Sequence, residues 1–89
     1  MRLELGKRAD YAVRAATELA RRFDAGERRK ARDLAERMDI PRTFVAQVLA
    51  DLVRAGLVAS EAGPAGGYIL ARSPAEISML EVVRAVEPE

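Results

Sequence analysis

Arg42, Thr43 and Gln47 follow Pro41 within one short stretch, and they bring a guanidinium, a hydroxyl and a carboxamide to what the spacing predicts to be the first turns of a helix. These groups suit the edges of nucleic-acid bases. A carboxamide sets a donor beside an acceptor, as adenine requires; a guanidinium matches guanine or a phosphate; a hydroxyl contacts either. Polar residues on an exposed helix are common, so the argument rests on position: these three lie behind a short chain break and ahead of a glycine-rich hairpin. Phe44 stands among them with two roles open. Its spacing to Val48 suits a core aromatic, and a partly exposed ring would instead meet a thymine methyl group.

The elements that must carry these side chains are legible in the periodicity. Tyr11, Ala12, Ala15, Leu19 and Phe23 recur at helical spacing, with Arg14, Thr17, Glu18, Arg21 and Arg22 opposite, so a first amphipathic helix is predicted from about Lys7 to Phe23. Asp24-Ala25-Gly26 ends it, and the charged connection Glu27 to Lys30 offers one further short strand to a sheet. A second helix fits Ala31 to Met38. Asp39-Ile40-Pro41 breaks the pattern, and Pro41 suits the first position of a third helix running to Ala55, since its missing N–H has no partner to lose there. That helix buries Phe44 or Val45, then Val48, Leu49, Leu52 and Val53, and Gly56 ends it in a left-handed conformation. Two helices joined by so short a turn form a helix-turn-helix.

Leu57 to Ala71 holds two short apolar runs around Gly63-Pro64-Ala65-Gly66-Gly67, a β-hairpin with a glycine-rich tip. A hairpin behind a helix-turn-helix is a wing. Gly66 and Gly67 either let the backbone approach DNA closely or make the turn. A wing that probes the minor groove usually carries Arg or Lys at its tip, and Glu61 to Ala65 has none. After Ser73-Pro74 a fourth helix is predicted from Ser78 to Val86, with Ser78 and Glu81 spaced as a capping box. Its wide apolar face, Met79, Leu80, Val82, Val83 and Val86, calls for cover from the first helix or another subunit. The expected fold is mainly α with a small antiparallel β-hairpin, a winged helix-turn-helix domain spanning residues 1–89.

Charge and composition bound the chemistry. With 15 basic against 14 acidic residues, the 89-residue chain shows no bulk affinity for polyanions. Distribution matters more: Met1 to Arg37 carries eleven Lys/Arg against seven Asp/Glu, and Met38 to Glu89 four against seven. Arg2, Lys7 and Arg8 are candidates for phosphate contacts, which fix register without reading sequence. The run Arg28, Arg29, Lys30 and Arg32 fits a solvated basic surface equally well. No cysteine or histidine occurs, which removes thiol chemistry and the commonest zinc and iron-sulfur ligands. Ser60, Ser73 and Ser78 have no base in an evident motif, and the glycine-rich loop lacks the lysine and hydroxyl of a phosphate-binding loop. An enzyme is not expected. Neither a signal peptide nor a run able to span a bilayer is present, so a cytoplasmic protein is expected.

The order and spacing of MRL, ADYAVRAATELA, DLAERMDIPRTFVAQVLADLVRAGLV, GPAGGYILAR and ISMLEVVRAVE resemble the Rrf2 family of bacterial transcription regulators along essentially the whole chain. The resemblance implies a homodimer that binds palindromic operators in double-stranded DNA, commonly as a repressor, with bases read at Thr43, Phe44 and Gln47. It also implies a long dimerisation helix and, in cluster-binding members, three cysteines at about the point where this chain stops. An iron-sulfur cofactor is therefore expected only if cysteines lie beyond Glu89, and Asp10 would be its non-cysteine ligand only in that case; otherwise Asp10 is a favourable charge at a helix N-terminus. Ala46 replaces an acidic residue of some relatives, and Ala62 an arginine of the wing. The alternative is a winged-helix module that docks a protein partner through its last helix and binds no DNA.

Overall fold

A computed structural model, which describes residues 6–87, lays down three helices before the first strand: α1 (Lys7–Arg21), α2 (Ala31–Met38) and α3 (Arg42–Arg54). A hairpin follows, β1 (Val58–Glu61) with β2 (Gly67–Leu70), then a 3₁₀ turn at Pro74–Glu76 and α4 (Met79–Val86). The strands pair antiparallel from Val58 opposite Leu70 to Glu61 opposite Gly67. The architecture is the winged helix-turn-helix that the spacing predicts. The α1–α2 connection joins the sheet as a bridge of one residue, with Arg29 and Tyr68 exchanging backbone hydrogen bonds of 2.9 and 2.7 Å.

The core forms where the helical stripes meet. Leu19 of α1, Leu34 of α2, and Val45, Val48, Leu49 and Leu52 of α3 are its most deeply buried side chains, and Leu57, Val58, Leu70, Val82 and Val86 close it from the wing and α4. Each fully buried aliphatic side chain contributes about 1.5–3 kcal/mol. The spacing that put Leu, Val and Ala on one side of each helix thus fixes which side of α3 remains outside.

Several boundaries differ from expectation. The first helix ends at Arg21, not Phe23, because the Arg22 and Phe23 amides bond only three residues back, to Leu19 and Ala20, before Gly26 turns the chain at φ +67°. Pro41 is the cap of α3, not its first residue: its ψ of 137° is extended, and its carbonyl receives the Phe44 and Val45 amides. Asp39 ends α2 in the left-handed conformation, φ 54°, which a short polar side chain tolerates. Of the pair Phe44 and Val45, Val45 is in the core, while Val53 is half-buried. Gly56 is left-handed as predicted, φ +78°. Ser78 precedes α4 as its cap, and the capping box is complete: Ser78 Oγ accepts from the Glu81 amide at 3.1 Å, and the Ser78 amide donates to Glu81 Oε2 at 2.9 Å.

Candidate nucleic-acid interface

With Val45, Val48, Leu49 and Leu52 turned inward, α3 presents Arg42, Thr43, Phe44, Ala46, Gln47 and Ala50 to solvent. The polar residues singled out in the sequence therefore share one outer surface. Small Ala46 and Ala50 flank Gln47 along α3, and Gln47 itself is exposed. The first turn of α3 holds no acidic side chain and no side-chain cap, so the positive end of its dipole is not neutralised from within.

Phe44 divides its roles. It is 44% exposed, and its ring lies 5.9 Å from that of Tyr11, tilted by 59°, a spacing favourable for aromatic pairs. Arg14 in turn lies over the Tyr11 ring, 6.0 Å from its centroid, and donates to the Met38 carbonyl at 2.7 Å. One edge of Phe44 thus braces α3 on α1 while the rest faces outward.

The predicted cations fare differently. Arg2 lies outside the described residues. Lys7 is exposed at the start of α1. Arg8 is drawn to α3: its guanidinium pairs with Asp51 and donates to Gln47 Oε1 at 3.3 Å. Asp51 was not among the sequence candidates, although its position four residues after Gln47 puts both on one helix side. It also pairs with Arg54 at 2.8 Å. Asp10 is exposed in the first turn of α1 and faces Arg14 at 3.8 Å.

The wing spends its glycines internally. A Cβ on Gly66 would lie 2.1 Å from the Glu61 carbonyl oxygen, and one on Gly67, at φ +139°, would lie 2.7 Å from the Arg29 carbonyl oxygen. Both positions are thereby explained by the hairpin and the Arg29 bridge. The tip does have a cation, supplied from elsewhere: Lys30 Nζ donates to the Gly63 and Gly66 carbonyls at 3.3 and 3.5 Å. Arg28 pairs with Glu61 at 3.0 Å.

Iron is poorly served by these residues. The chain has no cysteine or histidine, and among the described residues no three acidic side chains gather as ligands. No helix among the described residues is long and apolar enough to cross a membrane.

Residues 5–89 match the Rrf2 family, described as iron-dependent transcriptional regulators. The HTH-type transcriptional regulator IscR of Cronobacter sakazakii is 35% identical over 85 residues, 96% of this chain and 52% of that protein. Among solved structures, T. potens IscR superposes with a TM-score of 0.88 at 35% identity, covering 97% of this chain and 62% of that one. CymR, the global cysteine regulator of B. subtilis, gives 0.91 at 26% identity, covering 97% and 66%. These relatives are transcription regulators, not enzymes, and the chain spans about half the length of the curated relatives it matches. A family match running through the helices, the turn between α2 and α3, and the wing places this chain in the Rrf2 family of transcriptional regulators.

Proposed function

We propose that residues 1–89 form the DNA-binding domain of a cytoplasmic transcription regulator that acts as a homodimeric repressor on palindromic operators. The observation that carries this reading is the outer surface of α3, where Arg42, Thr43, Phe44 and Gln47 stand clear of the core on a helix whose first turn is free of acidic side chains. In a helix-turn-helix this segment enters the major groove. Thr43 and Gln47 then read base edges, Phe44 offers an apolar edge to a thymine methyl, and Arg42 takes a phosphate or a guanine. Lys7, at the entrance of α1, and Arg2 contribute phosphate contacts. An iron-sulfur cluster, if the full regulator holds one, draws its cysteines from outside these residues.

Titration of the chain against a pool of genomic fragments and against random duplex, at several salt concentrations, tests the proposal. A preference for particular fragments is expected, with an affinity that falls as salt rises. Binding without preference overturns it.

A second reading, a protein-docking winged helix, is favoured by one feature. Met79 and Leu80 of α4 are 64% and 56% exposed, beside an apolar groove of about 170 Å³ lined by Val13, Ala20, Pro74 and Ile77 among others. A gel shift on the promoter of its own gene separates the two readings: retarded DNA supports the regulator, and its absence supports the docking module.

A further inference from the structure

A guanidinium has donors only, so the Gln47 carboxamide atom that meets Arg8 is its oxygen, and the 3.3 Å contact to Oε1 has that sense. Arg8 is itself held by Asp51, one turn further along the same helix. Three side chains from the first turn of α1 and the middle of α3 thus form one chain of hydrogen bonds: Asp51 to Arg8 to Gln47. Among the described residues the Gln47 amide nitrogen has no protein partner. Recognition of adenine by a carboxamide uses both ends in one plane, the oxygen accepting from N6 and the nitrogen donating to N7. Arg8 occupies one of the two lone pairs of the oxygen and holds that end of the carboxamide toward α1, so the nitrogen is the end left to meet a base. Such a group favours edges that offer acceptors alone, N7 and O6 of guanine or O4 of thymine, over adenine, whose N7 it can still meet but whose N6 donor it leaves unpaired.

We infer that Arg8 is a positioning residue for base recognition, orienting Gln47 as a hydrogen-bond donor so that it selects an acceptor-rich base edge. The inference rests on α3 reading the major groove. It separates Arg8 from Lys7, whose exposed ammonium has no partner among the described residues and serves phosphates. The Asp51 carboxylate, shared between Arg8 and Arg54, ties the Arg8 guanidinium to α3 beside Gln47, where it can act as a strut.

Enrichment of the wild-type chain, Arg8→Met, Asp51→Asn and Gln47→Ala from a randomised duplex pool tests this, with thermal unfolding of each variant as a control for folding. In the wild type, guanine or thymine is expected at the base position that Gln47→Ala erases. In Arg8→Met the same position is expected to gain adenine by about fivefold or more relative to the wild type, and Asp51→Asn to move in the same direction by less. An unchanged base profile in Arg8→Met overturns the inference, whatever happens to total affinity; a uniform loss on all duplexes with a salt slope reduced by about one identifies Arg8 as a phosphate contact instead. A position lost in Gln47→Ala that was adenine in the wild type overturns it too. A wild-type chain that enriches no sequence removes the DNA-reading role itself, a result distinct from any of these.

Discussion

The wing and the outer face of α3 lie next to each other in the sequence and are built on opposite plans. In the wing nearly every special residue is committed to the wing itself. Gly66 makes room for the Glu61 carbonyl and Gly67 for the Arg29 backbone, Arg28 is paired with Glu61, and Lys30 bridges two tip carbonyls. On α3 the polar groups of the first turns are left outward, and Gln47, although it accepts from Arg8, stays exposed. A region that closes on itself holds a shape. A region that leaves donors and acceptors unpaired at its surface is suited to exchanging them with a partner, because an unpaired polar group loses least when a new bond replaces water.

Gly66→Ala breaks the comparison most directly. If the glycine serves the hairpin, the added Cβ collides with backbone that has no way to yield, and unfolding by urea should show a loss of about 2–4 kcal/mol. Unchanged stability with weakened DNA binding would show that the wing keeps its glycine for the approach of a duplex, and the contrast with α3 would fall.

Gln47→Ala probes the other side of the contrast. Stability should barely change, since the side chain is exposed, while affinity for a selected site should drop by about 1–3 kcal/mol and affinity for random duplex should hold. Lys7→Ala is expected to do the converse, weakening every duplex alike and lowering the slope of log affinity on log salt by about 0.9. Fluorescence titration of both variants on both duplexes gives the four values needed. Equal loss on both duplexes from the Gln47 change would remove its role in base reading.

How much of this contrast the sequence discloses depends on how far apart the partners lie. The hairpin, the helix stop at Gly56 and the box of Ser78 with Glu81 are local, set by neighbours within a few residues, and all three stand as read. The charged connection Glu27 to Lys30 was legible as a possible short strand of the wing's sheet, and it contributes one bridging residue, Arg29. Phe44 and Val45 both fit the spacing of the buried stripe, and only the packing of Tyr11 against Phe44 decides between them. Arg8 meets Gln47 and Asp51 across 39 and 43 residues, and Lys30 reaches the tip across 33 and 36. Nothing in the local pattern marks these pairs, since an arginine or lysine within a basic stretch looks the same whether it faces water, a phosphate or a distant carbonyl.

Lys30→Met sharpens the description of the wing. Removing the ammonium leaves the Gly63 and Gly66 carbonyls without that donor while keeping most of the side chain's bulk. A loss of about 1 kcal/mol in stability is expected, with faster amide exchange at Gly66, whose own amide bonds to the Gly63 carbonyl at 3.0 Å. If stability holds and only the salt dependence of DNA binding falls, Lys30 faces the duplex and the wing tip has a cation for the groove after all.

The smallest effect concerns where the wing hands over to α4. Arg72, two residues beyond β2, donates to Glu81 Oε1 at 3.2 Å, while the Ser78 amide holds the other carboxylate oxygen. The Ser78 amide first, and Arg72 after it, hold the Glu81 carboxyl below its ordinary range. A carboxylate whose folded pKa is depressed stabilises fully above its unfolded pKa and loses that contribution as pH falls through the folded value. Protection of the Ser78 and Glu81 amides, corrected for intrinsic exchange, should therefore decline as the solution is acidified through the carboxylate range, while the α3 amides between Val48 and Leu52, deep in the core, should not follow. Glutamine also completes a capping box, so Glu81→Gln should keep the protection seen near neutrality and lose its dependence on pH. If acid leaves both amides protected, the Arg72–Glu81 pair is incidental, and the wing is fastened to the body through Arg29 and Tyr68 instead.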